Sequence, residues 1–273
     1  MKKSILSIAL GGAVLLGINS CEDLENLCGI SQDNVVTGEV FVASLNGMID
    51  IYQRIDQALK DRDLNNTGTA MIDGATCTVK GDSVIIDFGV AGAVSPSDNK
   101  TRKGSIRALI TGDYTLPNGI AAAKLSNYHV DGIMQKGGFV ATNKGPAANP
   151  EVTLTTLKYE IGDVSSVDYN LSAFWQAGFD TPDPNDDIFD LQGTINGDDF
   201  QNSKMFNGTV LDPLLYNGSC PYFIEQGVMD VGLVGDTALT GFSVDFVQAD
   251  NCNNIFQITV DCDGSPLVFD YAY

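Results

Sequence analysis

The chain has 273 residues, with 35 acidic and 15 basic side chains and a net charge of −20. Phosphate backbones and anionic headgroups are bound through basic faces, so this balance argues against nucleic acid as a partner and against direct binding to anionic lipid. The length suits one large all-β domain or two small ones, and 29 glycines with nine prolines suit short strands joined by tight turns.

The N-terminus reads as an export signal. Lys2 and Lys3 form a basic start, and Ile5 to Ile18 is an uncharged, largely apolar run too short for a membrane span. The run ends at Asn19-Ser20-Cys21, an arrangement similar to the lipobox of bacterial lipoproteins, with Ile18 at the branched position. This implies a signal peptide over residues 1–20 and acylation of Cys21, which becomes the mature N-terminus. Each buried acyl CH₂ contributes about 0.8 kcal/mol, so several chains on Cys21 anchor the protein without a transmembrane helix. Glu22, Asp23 and Glu25 follow, resembling the acidic surface-export signals of Bacteroidota lipoproteins. The mature chain then holds thirteen basic against 35 acidic residues, a net of −22.

Residues 21–37 read as a tether. Over 38–63, Phe41, Leu45, Met48, Tyr52, Ile55 and Leu59 recur at helical spacing, with Asn46, Asp50, Gln53 and Gln57 away from them. This predicts one amphipathic helix packed by its apolar stripe on a sheet, with Gly47 a local weakness. From residue 70 to 273 the period becomes two. Val84, Ile86 and Phe88 share a face, as do Ile106, Ala108 and Ile110, and similar runs continue to Leu267, Phe269 and Tyr271. Gly, Asn, Asp or Pro bounds each run, and no helical pattern intervenes. The prediction is a mainly β protein, an antiparallel meander or sandwich of about twelve strands. The loop Gly178–Asp187 leaves two readings open, one continuous β unit or two halves at 70–178 and 187–273.

Candidate chemistry is sparse. Asp180, Asp183, Asp186 and Asp187 crowd one loop, and an all-oxygen cluster of this kind suits Ca²⁺, although EF-hand spacing is absent. No other cofactor is expected. Without Cys21 the cysteines are Cys28, Cys77, Cys220, Cys252 and Cys262, an odd number. Cys252 and Cys262 flank one predicted strand of roughly 33 Å at about 3.3 Å per residue, so they should not pair with each other. Cys220 with one of them is the expected bridge and Cys28 with Cys77 a second, though connectivity is not readable from spacing. His129, the only histidine, reads as a strand residue near a turn. Tyr169, Leu171, Ala173 and Trp175 share one face and read as core. Lys100, Arg102 and Lys103 open a strand rather than a helix and are expected to pair with carboxylates.

Four stretches occur in order: Asp87-Phe88-Gly89, Thr101-Arg102-Lys103-Gly104, Gly112-Asp113-Tyr114 and Asn127-Tyr128-His129-Val130-Asp131-Gly132. Together they resemble an uncharacterised family of Bacteroidota cell-envelope lipoproteins, over roughly residues 76–145. The resemblance implies an outer-membrane, lipid-anchored, β-rich protein facing the periplasm or the cell surface, and no known catalysis. Similar proteins often carry a cysteine soon after Asp-Phe-Gly; here Val90-Ala91-Gly92 stands instead. The function expected is a non-catalytic binding or adhesion module for a glycan or surface protein. The alternatives are a structural envelope component and a carbohydrate-active hydrolase with a carboxylate pair. Replacing Cys21 with alanine should abolish palmitate labelling and membrane fractionation; unchanged labelling would refute the lipid anchor.

Overall fold

The computed structural model describes residues 32–146, 150–220, 224–235, 241–246, 255–262 and 265–272. A 29-residue helix, α1 (Gln32–Lys60), starts inside the segment read as tether. A short α2 (Arg62–Thr67) follows, capped by the Asp61 carboxylate, which accepts from the Leu64 amide at 2.6 Å. The strands are β1 (Thr69–Ile72), β2 (Ala75–Lys80), β3 (Ser83–Asp87), a two-residue β4 (Ala93–Val94), β5 (Thr101–Thr111), β6 (Ile120–Val130), β7 (Ile133–Asn143) and β8 (Glu151–Ile161). They continue as β9 (Ser165–Ala177), β10 (Ile188–Asp199), β11 (Lys204–Asn217), β12 (Ile224–Val234), β13 (Gly241–Phe246), β14 (Ile255–Cys262) and β15 (Ser265–Ala272).

All fifteen strands belong to one antiparallel sheet in sequence order, with β4 a side branch on β5. The mainly β class and the long N-terminal helix are as predicted, while the short α2 is an addition and the strand count among the described residues exceeds the expected twelve. β1 and β4, of four and two residues, are too short to carry a legible alternation. β9 and β10 pair across the Gly178–Asp187 loop, from Ile188 opposite Ala177 onward, so the sheet runs unbroken past it. β9 shows the expected pleat, with Val167, Tyr169, Leu171, Ala173 and Trp175 all buried on one face.

The helix does not lie on the sheet; the sheet wraps around the helix. Phe41 meets Phe206 of β11 edge-on, with ring centres 5.6 Å apart. Tyr52 packs against Phe139 of β7, Trp175 of β9 and Phe189 of β10. Thr37 donates to Asp199 at the end of β10 (2.7 Å), and Asp50 faces Arg102 of β5. Gly38 lies against Ile258 of β14 and Phe242 of β13. A helix turns about 100° per residue, so contacts to strands from β5 to β14 require apposition from every side. The expected polar side is therefore corrected in part: of Asn46, Asp50, Gln53 and Gln57, Asp50 and Gln53 are buried and the other two half-buried, and Arg54 and Asp56 are buried beside them. These contacts also orient the helix. Its N-terminus lies at the β10–β11 turn and its C-terminus near Trp175 at the far end of β9.

Gly47 is likewise not a weakness. A Cβ there would stand 2.4 Å from the Tyr159 hydroxyl of β8, which itself donates to Gln135 Oε1 at 3.0 Å. The missing side chain is what lets helix and strand approach. Gly47→Ala should thus destabilise by about 1–3 kcal/mol, the usual cost of overpacking, despite alanine's better helix propensity. A rise in the urea midpoint of that variant would refute the close approach.

Candidate functional site

Two charged clusters tie the helix to the sheet. In the first, Arg102 is fully buried. Its guanidinium grips both Asp98 oxygens at 2.8 and 2.6 Å and donates to Asp50 Oδ1 at 2.6 Å. Arg54, one helical turn after Asp50, pairs with Asp73 in the β1–β2 turn. Asp73 in turn accepts from the Ser97 amide (3.0 Å) and hydroxyl (2.8 Å). Lys100 adds a cation 3.9 Å from Asp98. The sum is three carboxylates against three cations, which is how so much charge is tolerated away from water. Burial works to raise the Asp50 carboxyl, yet Arg102 and Arg54 hold it below the ordinary range. Asp98 is also pushed up by burial but is held down to about 2 by its hydrogen bonds from Arg102.

Residues of three of the four motif stretches belong to this layer, while Tyr114 of the remaining one joins the second cluster. Phe88 packs on Tyr128, with ring centres 6.0 Å apart, and Tyr128 stands beside Arg102. Gly104 (φ +80°) sits at a register shift in β5, where a Cβ would come within 2.1 Å of the Asn127 carbonyl. These three motifs therefore build the sheet's half of a buried helix-to-sheet joint. The expected pairing with carboxylates forms for Lys100 and Arg102; Lys103 makes no ion pair among the described residues.

The second cluster closes the C-terminal end of the helix. Lys60 Nζ lies 2.8 Å from Asp56 Oδ2, both side chains buried. The same ammonium sits 4.2 Å above the Trp175 ring and 4.7 Å from that of Phe179, a desolvated cation–π contact. Tyr114 donates to Asp56 Oδ1 at 3.0 Å and shares a 3.0 Å hydrogen bond with Tyr52. Burial raises the Asp56 carboxyl despite Lys60. Asp187 completes the group. Burial, and then the Asp56 charge, push it up to about 8, and its Oδ1 has no hydrogen-bond partner among the described residues.

Above this cluster opens a cavity of about 590 Å³, with Lys60, Tyr114 and Phe179 in its lining. Leu59, Val84 and Ile110 supply apolar wall; Asn65, Ser83, Thr115, Asp82, Asp113 and Asp180 supply polar groups. A shallower groove of about 450 Å³ crosses the outer face of the sheet, lined by Gln176, Asp190, Asp212, Gln226 and Asp245. Asp212, Val228 and Asp245 lie in one cross-strand row. Burial and the neighbouring Asp212 raise the Asp245 carboxyl.

The four loop carboxylates do not converge. Asp186 accepts from the Thr181 hydroxyl (2.7 Å) and Asp183 from the Asn185 amide (3.0 Å). Asp180 lines the cavity and Asp187 turns inward. Among the described residues no three such ligands are grouped to hold a metal ion. Cys77 and Cys220 are buried free thiols, so neither expected bridge through them is formed, and burial pushes the Cys77 thiol up to about 12. Cys21, Cys28 and Cys252 lie outside the described residues, as does the Cys262 side chain. His129 sits in β6 with Nδ1 2.8 Å from the Asn127 carbonyl. Among the described residues no helix is long and apolar enough to cross a membrane.

No family model, curated protein or solved structure matches the chain.

Removing one member of the first cluster should be severe. Asp50→Ala leaves Arg102 and Arg54 short of a buried counter-charge and should cost about 3–5 kcal/mol in urea unfolding. The Asp98 carboxyl is depressed in the folded state. Its contribution is therefore fully present above the ordinary carboxylate range and is lost as pH falls towards about 2. An Asp98→Asn variant should accordingly show a flatter loss of stability between pH 4 and 2. Equal acid sensitivity in the two proteins would contradict the pairing.

Proposed function

We propose that this is a lipid-anchored cell-envelope protein acting as a non-catalytic binding module, with its ligand in the cavity at the C-terminal end of α1. The observation that carries this reading is the cavity itself: its floor and wall include buried side chains already held by the Asp56 carboxylate, Lys60 and Tyr114. Its size falls in the usual range for small-ligand sites. The mix of an aromatic edge, apolar wall, and hydroxyl, amide and carboxylate groups fits a neutral saccharide. The carboxylates Asp82, Asp113 and Asp180 would accept from sugar hydroxyls, and they disfavour anionic sugars. Placement also supports the reading. The tether from Cys21 enters at the N-terminus of a helix about 43 Å long, so the cavity opens away from the anchored end.

A second reading, a carbohydrate-active hydrolase, draws on the outer groove. Asp212 and Asp245 flank Val228 two strand spacings apart, roughly 10 Å between Cα atoms. Their carboxyl groups could then stand at about the 6.5–9.5 Å separation used by inverting glycosidases. One array of neutral and anionic glycans probed with the detergent-solubilised full chain tests both. Binding of neutral glycans, weakened about tenfold (1.4 kcal/mol) by Phe179→Ala, is the expected result. Retention only of anionic glycans, or indifference to Phe179→Ala, would refute the cavity reading. Shortening of the glycans that stops in Asp245→Asn would establish the hydrolase instead.

A further inference from the structure

We infer that Asp187 is a protonation latch on the loop that walls the helix-end cavity: as a neutral acid it stays packed beside Asp56, and on ionisation it leaves, carrying Phe179 and Asp180 out of the wall. The inference concerns regulation of the site proposed above and rests on that reading for its functional meaning.

The geometry behind it is an imbalance of charge in a closed space. Asp187 is buried at the root of the Gly178–Asp187 loop. Its carbonyl accepts from the Gly218 amide at 2.8 Å, which ties that root to the end of β11. At the other root, a Cβ on Gly178 would stand 2.6 Å from Asp187 Oδ1, so the carboxyl is pinched between the two ends of the loop. The groups that face it are Asp56, Lys60 and Tyr52 from the helix, Asp183 and Asp186 from its own loop, and Tyr216 from β11. Trp175 of β9 lies under Lys60, and Tyr114 reaches the cluster through Asp56. The ammonium that faces it among the described residues, Lys60, is already engaged by Asp56 and two aromatic rings. An ionised Asp187 would thus be a second buried carboxylate facing acidic neighbours, with an Oδ1 that no described residue hydrogen-bonds, whereas the neutral acid carries no charge into that space.

The sign follows from a folded-state value raised to about 8. The closed loop is at full strength below the ordinary carboxylate range, where Asp187 is protonated whether the loop is closed or open. Closure weakens progressively as pH rises from that range through about 8, because the opened loop lets the carboxylate ionise in water.

Trp175 is the only tryptophan in the chain and lies within the cluster, so its fluorescence reports the latch without a label. The full chain in detergent would be titrated from mildly acidic to mildly alkaline pH, with acrylamide quenching of Trp175 measured at each step. Quenching should increase in one step between the ordinary carboxylate range and about pH 8 while far-ultraviolet circular dichroism stays constant, and Asp187→Asn should remain at the low, closed-loop value throughout. No step in the wild type, a step that survives in Asp187→Asn, or a simultaneous collapse of the dichroism would overturn the latch. Should Asp187→Asn fail to fold, Asp56→Asn removes the neighbouring charge and must move the midpoint to lower pH; an unchanged midpoint overturns the proposal as well. The titration uses no ligand. A blank glycan array would leave the latch standing, and a flat titration would leave the cavity's ligand reading standing.

Discussion

Arg102 gives up all contact with water and keeps its charge, and a carboxylate carried in by the helix is what makes this tolerable. An isolated buried guanidinium would cost several kcal/mol, a penalty recovered only when its donors meet carboxylates in good geometry. Asp98 on the sheet supplies one partner and Asp50 on the helix the other. The pair therefore sets both the depth and the rotation of the helix. With Asp50 aimed at β5, Tyr52 must face β9 and β10, and Gly47 must meet Tyr159. A sheet wrapped around an apolar rod could let that rod slide or turn; one charged contact removes both freedoms.

The two ends of the helix differ in how well their charges balance. The Arg102 cluster has equal numbers of cations and carboxylates and closes on itself. The Lys60 cluster has two carboxyl groups for one ammonium, so one of them must stay neutral. The surplus group belongs to a loop rather than a strand, and that loop walls the larger cavity. Adjustable chemistry is thus concentrated at the C-terminal end of the helix, on a loop outside the sheet's hydrogen-bond ladder.

Much of the fold was legible in the chain. Alternation such as Val84-Ile86-Phe88 and Tyr169-Leu171-Ala173-Trp175 marked the inward faces, because a pleated strand exposes every second residue. The heptad-like run from Phe41 to Leu59 marked the helix. Lys100 and Arg102, as cations opening a strand in an acidic chain, were rightly read as partners of carboxylates. The polar side of the helix was misread. Asp50 and Gln53 follow the spacing of a polar face, and a hydropathy pattern cannot tell water from a buried counter-charge on a strand 52 residues away, as for Asp50 and Arg102. Asp187 was misread for a related reason: four aspartates close in sequence suggest one metal cage, but the loop's turns send each side chain elsewhere.

What the sequence determined by itself was local in origin: the helix, the strand faces, the turns and the overall acidity, each set by residues a few positions apart. Only the tertiary structure decided that fifteen strands form one sheet enclosing the helix, and which charges meet inside it. Those pairings join residues far apart in the chain, and their energies depend on exclusion of water, which exists only once the sheet has wrapped around the helix.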